Sequence, residues 1–167
     1  MYTETGVSPL TFPPTKGQAI KVDSYAHDEF GITTEDPIIT SSMNDKRFAK
    51  ERAMTSYLEN FETLKIYGSG KIALLTWGSN KGACIEVGEK LGLTVIHVLV
   101  LSPFPVRKLK EALKSIERVI DVECNSTGQL ARLAACHGIQ INEKILKYDG
   151  RPFSIEDLDA RLSGVIA

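Results

Sequence analysis

From residue 71 onward the chain alternates between two hydrophobic rhythms. "KIALLTW" (71–77) is an almost unbroken apolar run, the pattern of a strand buried on both faces. "KGACIEVGEKLG" reads as a helix that ends near Gly92. "TVIHVLVL" (94–101) is a second buried strand, and "SPFP" turns the chain. In "VRKLKEALKSI" (106–116), Val106, Leu109, Leu113 and Ile116 lie on one side of a helix. "RVIDVE" (118–123) is a third strand, "TGQLARLAACHG" a helix capped by Thr127, and "INEKILKYDG" holds a short fourth strand. Ser154 opens the last helix, with Asp157 at the capping-box position. Strands alternating with helices predict a three-layer α/β/α domain with a mostly parallel sheet.

Ahead of this domain, residues 42–65 follow a helical period. Met54, Tyr57, Leu58, Phe61 and Leu64 form one apolar stripe, and Thr40, Ser41 or Ser42 is placed to cap the start. Residues 1–41 keep neither period. They hold Pro9, Pro13, Pro14 and Pro37, four of the seven prolines, and six acidic residues against two basic ones, a net of −4. They predict extended, irregular chain with one short strand at 19–24. Such a segment rarely folds alone, so it is expected to lie against its own domain or against a part of a larger protein. The predicted organisation is an extended interdomain segment (1–41), a linking helix (42–65) and the α/β domain (66–167).

Composition narrows the function. The 167 residues are 43% hydrophobic and 25% charged, which suits one globular domain with an appendage. A formal net charge of −1 gives no broad basic field for nucleic acid. The chain has no apolar run of about 18 residues, the length that crosses a membrane. The start of the sequence lacks the basic region and apolar stretch of a signal peptide, so a cytoplasmic location is expected. Cys84, Cys124 and Cys136 are widely spaced without a C-x-x-C pair. That supports neither a zinc site nor an iron–sulfur cluster on this chain, and predicts reduced thiols.

Ligands in open α/β sheets bind at the carboxyl ends of the strands. Those ends carry "TWGSNKG", "LSPFP" and "ECNSTGQ". Ser79, Asn80, Lys81 and Gly82 at one helix start, and residues 126–128 at another, are candidates for an anion site, because helix N-termini leave N–H groups unpaired. The same residue types serve any strand-to-helix turn, with Gly78 and Gly82 making the turn and Ser79 or Asn80 capping the helix. Neither G-x-G-x-x-G nor G-x-x-x-x-G-K-[ST] occurs. His27, Asp28 and Glu29 are adjacent ligand types, but neighbours on an extended chain point apart, so a hydrogen-bonded loop is expected rather than a metal site. His97 reads as a core histidine, His137 as a helix C-terminal residue, and Cys84 as core filler within an apolar period. Glu123 beside Cys124 disfavours a thiolate there. No G-x-S-x-G elbow is present, and no catalytic constellation emerges.

Several segments carry a family resemblance. "GVSPLTFP", "HDEFGITTEDP", "TWGSNKGA", "LVLSPFP", "VIDVECNSTGQLARL" and "ILKYDGRPF" occur in this order. Together they resemble the C-terminal part of the alpha subunit of 2-oxoacid:ferredoxin oxidoreductases, over nearly the whole chain. "HDE-aromatic-G" followed by "TEDP", "E-x-N-x-T-G-Q-L" and "LKYDGRPF" are the specific elements. The strand–GS–helix and "PFP" patterns are similar to the C-terminal domain of transketolase-like enzymes more broadly.

The resemblance implies a transketolase C-terminal-like fold. It implies a whole enzyme that oxidatively decarboxylates a 2-oxoacid, makes an acyl-coenzyme A and passes electrons to ferredoxin, using thiamine diphosphate, magnesium and iron–sulfur clusters. In that family the thiamine cofactor lies between a pyrimidine-binding domain, which precedes this region, and a diphosphate-binding beta subunit. The diphosphate motif, G-D-G followed by asparagine, is absent here, and "YDG" (148–150) is not it. The chain is therefore expected to be a piece of a longer alpha subunit, inactive alone and binding no cofactor itself, with no catalytic residue to carry over. His27, Asp28, Glu29, Asn125, Thr127, Gln129 and Arg151 are the expected interdomain or subunit contacts. The implied partners are the rest of the alpha subunit, the beta subunit, ferredoxin through the whole enzyme, and a second copy in a homodimer. Two alternatives stand beside this reading. One is a small-anion or nucleotide-binding regulatory module built on residues 79–82 and 126–128. The other is an interaction protein whose acidic first 41 residues dock a partner.

Overall fold

The computed structural model describes residues 3–17, 19–21 and 24–166. The chain divides into two compact units, Met1–Phe61 and Glu62–Ala167.

The first unit is irregular up to helix α1 (Pro37–Leu58). This helix begins before the predicted 42–65 span and ends before it too. Asp36 is the cap: its carboxylate accepts from the N–H groups of Ile38 and Ile39, each at 2.9 Å. Pro37 occupies the first turn, where a missing N–H removes no helical bond. The predicted caps Thr40, Ser41 and Ser42 therefore lie inside the helix, and the Ser41 hydroxyl donates back to the Pro37 carbonyl at 2.8 Å. After Leu58 the N–H groups of Asn60 and Phe61 turn back to Tyr57 and Leu58, closing the last turn. The strand expected at 19–24 includes residues 22 and 23, which lie outside the described residues. Residues 19–21 are irregular, and the nearby pairing is one isolated bridge between His27 and Thr33.

The second unit is a five-stranded sheet between helices. Its strands are β1 (Leu64–Tyr67), β2 (Ile72–Trp77), β3 (Thr94–Val98), β4 (Arg118–Glu123) and β5 (Glu143–Leu146). Its helices are α2 (Lys81–Lys90), α3 (Val106–Ala112), α4 (Gln129–Cys136) and α5 (Ile155–Ile166). The strand order is β1-β3-β2-β4-β5, parallel except for the antiparallel edge strand β1. The expected mostly parallel α/β/α architecture is thus present, with one strand more than the hydrophobic rhythm indicates. β1 was hidden because Leu64 continues the helical stripe of the preceding segment, whereas in the fold it packs with the sheet.

Alternation along the strands sorts two cores. Leu74, Val95, Ile120, Val122 and Ile145 face α2 and α5, meeting Cys84, Val87, Leu158 and Leu162. Ala73, Leu75, Ile96, Val98 and Val119 face α3 and α4, meeting Leu109, Leu130 and Ala134. Cys84 is core filler, as its period indicates, and burial pushes its thiol up to about 12 against a hydrogen bond with Thr76.

The cap assignment has a direct test. Asp36→Ala is expected to cost about 1 kcal/mol of α1 stability, read as lost amide-exchange protection at Ile38 and Ile39. Ser42→Ala should leave that protection unchanged. The opposite ranking would restore the later helix start.

Candidate functional site

The chain runs from β2 through α2 to β3 on one side of β2, then returns to β4 on its other side. This reversal leaves a crevice beyond the carboxyl ends of β2 and β4, the place where open α/β sheets hold ligands. The crevice has a volume of about 280 Å³ and is lined by Trp77, Gly78, Ser79, Asn80, Cys124, Asn125 and Gln129.

Its chemistry is set from below by two buried carboxyl groups on β4. Asp121 and Glu123, two residues apart, share the strand face that α4 covers, and both are fully buried. Glu123 is saturated with donors. One of its oxygens accepts from Trp77 Nε1 at 2.9 Å and Asn125 Nδ2 at 2.7 Å. The other accepts from the N–H groups of Leu130 at 2.9 Å and Ala131 at 3.3 Å, in the first turn of α4. Burial works to raise its pKa, but bonds from Asp121, Trp77, Leu130 and Asn125 prevail and hold it below the usual carboxylate value.

Asp121 has the opposite environment. Among the described residues no donor reaches either of its oxygens. Burial first, and then the neighbouring Glu123 carboxylate, push its pKa up to about 9. Asp121 is therefore a neutral acid near pH 7, buried beside the charged Glu123.

The turn that follows depends on this pair. Asn125 Oδ1 accepts from the N–H groups of Thr127 at 3.0 Å and Gly128 at 2.7 Å, an Asx-type turn. Gly128 has φ +63°, and a Cβ there would stand 3.2 Å from Lys144 Cδ and 3.6 Å from Asp121 Oδ2. Thr127, expected to cap α4, makes no cap bond; Gly128 occupies that position and the Glu123 carboxylate does the capping. A buried charge at a helix N-terminus interacts more strongly than an exposed hydroxyl, which is why the cap comes from the strand.

The first helix start also differs from expectation. Gly78–Asn80 forms a single 3-10 turn, and neither Ser79 nor Asn80 makes a side-chain cap bond to α2. Asn80 is buried, accepts from the Cys124 thiol at 2.9 Å, and points its amide to the Val122 carbonyl at 3.5 Å. Gly78, at φ +63°, makes the turn; Gly82 does not, since it lies within α2 at ordinary φ with open space where a Cβ would stand. Lys81 is exposed. His97 is buried, and its Nε2 lies 3.2 Å from the Gly78 carbonyl as donor. His137 closes α4 and stacks on Phe104 with ring centres 5.2 Å apart.

The sequence-predicted contact residues fall in three places. Asn125 and Gln129 line the crevice, and Thr127 lies in the turn between them, with Thr127 and Gln129 exposed. His27, Asp28 and Glu29 lie in a turn of the first unit, where Asp28 accepts backbone N–H groups and His27 Nδ1 meets the Asp28 carbonyl at 2.7 Å. Arg151 is exposed beyond β5, its N–H bonded to Asp149. Around it the "LKYDGRPF" segment is a fastener. Lys147 bridges Asp149 and Asp157, Arg161 bonds Asp157 and the Leu146 carbonyl, and Phe153 lies buried beneath both cations.

Trp77, Asp121 and Glu123 escape a reading based on turns. Their signal was the pair of acids at alternate positions of "RVIDVE", which places two carboxyls on one covered face of a central strand. Among the described residues no group of three histidine, cysteine or acidic side chains is placed to hold a metal ion. No helix of the described residues is long and apolar enough to cross a membrane.

No protein-family model matches the chain. Among curated proteins it is 31% identical to the "2-oxoacid:ferredoxin oxidoreductase subunit alpha" of Saccharolobus solfataricus, over 98% of this chain and 27% of that protein. It is 35% identical to the "2-oxoacid:ferredoxin oxidoreductase 2, subunit alpha" of Aeropyrum pernix, over 89% of this chain and 24% of that protein. The chain thus spans about a quarter of the length of the curated relatives it matches. Among solved structures, the 2-oxoglutarate:ferredoxin oxidoreductase of Magnetococcus marinus superposes with a TM-score of 0.74 at 24% identity. All of this chain and 30% of that one are covered, and the likeness is one of fold.

The buried pair predicts a pH dependence. Unfolded, Asp121 loses its proton near 3.8; folded, it keeps it to about pH 9. Its contribution to stability is complete below the lower value and is lost as pH rises to the upper one. Glu123 acts oppositely, and only as pH falls below the normal glutamate range. Asp121→Asn supplies a permanent N–H donor, so its melting temperature should exceed that of the parent chain at pH 8 by more than at pH 5. A gap constant with pH would reject the raised Asp121 pKa. Glu123→Gln is expected to cost about 1–3 kcal/mol, because it turns an amide N–H₂ toward groups that themselves donate. Gly82→Ala should stabilise by about 0.5–1 kcal/mol, as expected within a helix, where a turn-forming glycine would lose stability.

Proposed function

Because the chain belongs to the 2-oxoacid:ferredoxin oxidoreductase alpha subunits, of whose length it spans about a quarter, we propose that it is their structural and assembly domain, inactive alone. The observation that carries this is the state of the crevice. Its convergent polar groups are spent on the fold: Glu123 accepts four donors, Asn125 holds the turn, and Asn80 is tied to Cys124 and Val122. A catalytic site keeps polar groups aimed at a substrate; here they are aimed at one another.

In this reading the whole enzyme converts a 2-oxoacid and coenzyme A to an acyl-coenzyme A and reduces ferredoxin, with thiamine diphosphate, magnesium and iron–sulfur clusters held by its other parts. The start of α4 does not fit a diphosphate. The α4 N-terminus, where an anion would bind, already holds the Glu123 carboxylate, and a second negative charge there would be repelled. The same argument turns us from the regulatory anion-site reading of residues 126–128. Packing against the rest of the alpha subunit and the beta subunit, a homodimeric arrangement and a cytoplasmic location belong to this proposal.

Reconstitution tests it. The chain, the remaining alpha-subunit portion and the beta subunit together should give dye reduction that depends on both 2-oxoacid and coenzyme A. Omission of this chain should abolish it. Turnover by the chain alone, or full turnover without it, would overturn the assembly role. Calorimetric titration of the chain with thiamine diphosphate, coenzyme A or adenine nucleotides should release no heat beyond dilution.

A further inference from the structure

The N-terminal unit carries apolar surface that its own fold does not cover. Among its described residues, Met43 is the buried apolar side chain, whereas Leu10, Phe12, Phe30 and Ile38 are each at least 70% exposed. Single exposed hydrophobic residues are ordinary, but a unit with so little core of its own cannot offset the entropy of ordering its chain. The second unit has no such deficit. Helices cover both faces of its sheet, and its large exposed apolar side chains among the described residues are Ile66, Leu99 and Tyr148.

Phe30 stands apart because it is held outward. Asp28 Oδ1 accepts from the N–H groups of Phe30 at 2.9 Å and Ile32 at 2.8 Å. The Asp28 N–H bonds the Ile32 carbonyl at 2.9 Å, and the Gly31 N–H bonds the Asp28 carbonyl at 3.1 Å. Gly31 completes the turn at φ +78°, a conformation that favours glycine. Below it, His27 and Thr33 pair, and the Thr34 N–H meets the Ala26 carbonyl at 3.0 Å. These bonds leave the ring 80% exposed at the tip of a fixed turn, with Ile32 60% exposed beside it in sequence. A rigid loop that presents an aromatic ring has met the ordering cost before any contact forms, which is how anchor residues act.

We propose that Phe30 is the anchor of an interdomain contact, its ring entering an apolar pocket on the part of the alpha subunit outside this chain, with Asp28 as the residue that positions it. The proposal rests on the assembly reading above. The relatives supply the occupant: about three quarters of such a subunit has no counterpart in this chain. The cavity on the N-terminal unit of a second copy has a mixed lining, with Leu10, Ala19 and Ile20 beside His27, Asp28 and Glu29, and the experiment below separates that receptor from the rest of the subunit. In this proposal Asp28 of the "HDEFG" motif has a role different from direct contact. Asp28 spends its carboxylate on the turn, and the aromatic position makes the contact.

The experiment titrates the full chain with the remaining alpha-subunit portion, supplied as a separate polypeptide. Phe30→Ala should weaken association about thirtyfold or more, the scale of an anchor residue, and Phe30→Leu should recover most of it. Asp28→Ala should weaken it as well, by loosening the turn, whereas Glu29→Gln should leave it within about threefold. The thermal melt of Phe30→Ala should match the parent chain, because an exposed ring contributes little to folding. Undiminished association of Phe30→Ala would overturn the proposal while leaving the assembly reading intact. Loss of self-association in Phe30→Ala, with association to the remaining portion unchanged, would overturn it in favour of a second copy. Failure of the parent chain to associate at all would overturn both.

Discussion

Glu123 sits where the central sheet, the crevice and the start of α4 meet, and its carboxylate is what joins them. It draws in Trp77 from β2, Asn125 from the following turn and two N–H groups from α4. An isolated buried carboxylate would be costly. This one is offset by four donors from the surrounding structure and by the proton that Asp121 keeps. The neutral acid and the charged acid are two halves of one arrangement: each has the environment it needs because the other has a different one. Removing Glu123 leaves the Trp77 indole N–H, the Asn125 amide and two α4 N–H groups without their acceptor.

The two most specific sequence motifs of the α/β unit then have a common physical meaning. "E-x-N-x-T-G-Q-L" caps a helix with a strand carboxylate and shapes the turn between them. "LKYDGRPF" fastens β5 to α5 through Lys147, Asp157 and Arg161, over the ring of Phe153. Both bring polar chemistry together in order to hold elements in place. A domain fastened in this way presents a fixed surface, which suits the assembly role proposed above. The "HDEFG" turn extends the same principle to the N-terminal unit, where a hydrogen-bonded frame presents an apolar side chain outward.

The sequence by itself determined the α/β class and the placement of β2, β4 and α5. Continuous apolar runs and a capping box are local signals that the fold had no reason to override. It also marked the strand-end turns that line the crevice and the cysteine that fills the core. It misplaced α1 because Thr40, Ser41 and Ser42 are all competent caps in isolation. Asp36 beside Pro37 is the stronger start signal, and only the folded structure shows that choice made. Strand β1 was lost because Leu64 fits a helical period as well as a sheet position, and pairing with β3 is a long-range fact. The capping of α4 was decided by tertiary structure alone. Thr127 is next to the helix in sequence, but Glu123 reaches it in space with a full charge and displaces the weaker local hydroxyl. The proton state of Asp121 was likewise unreadable from its neighbours in sequence, because a pKa records burial and the field of a partner, and both exist only once the strand is covered.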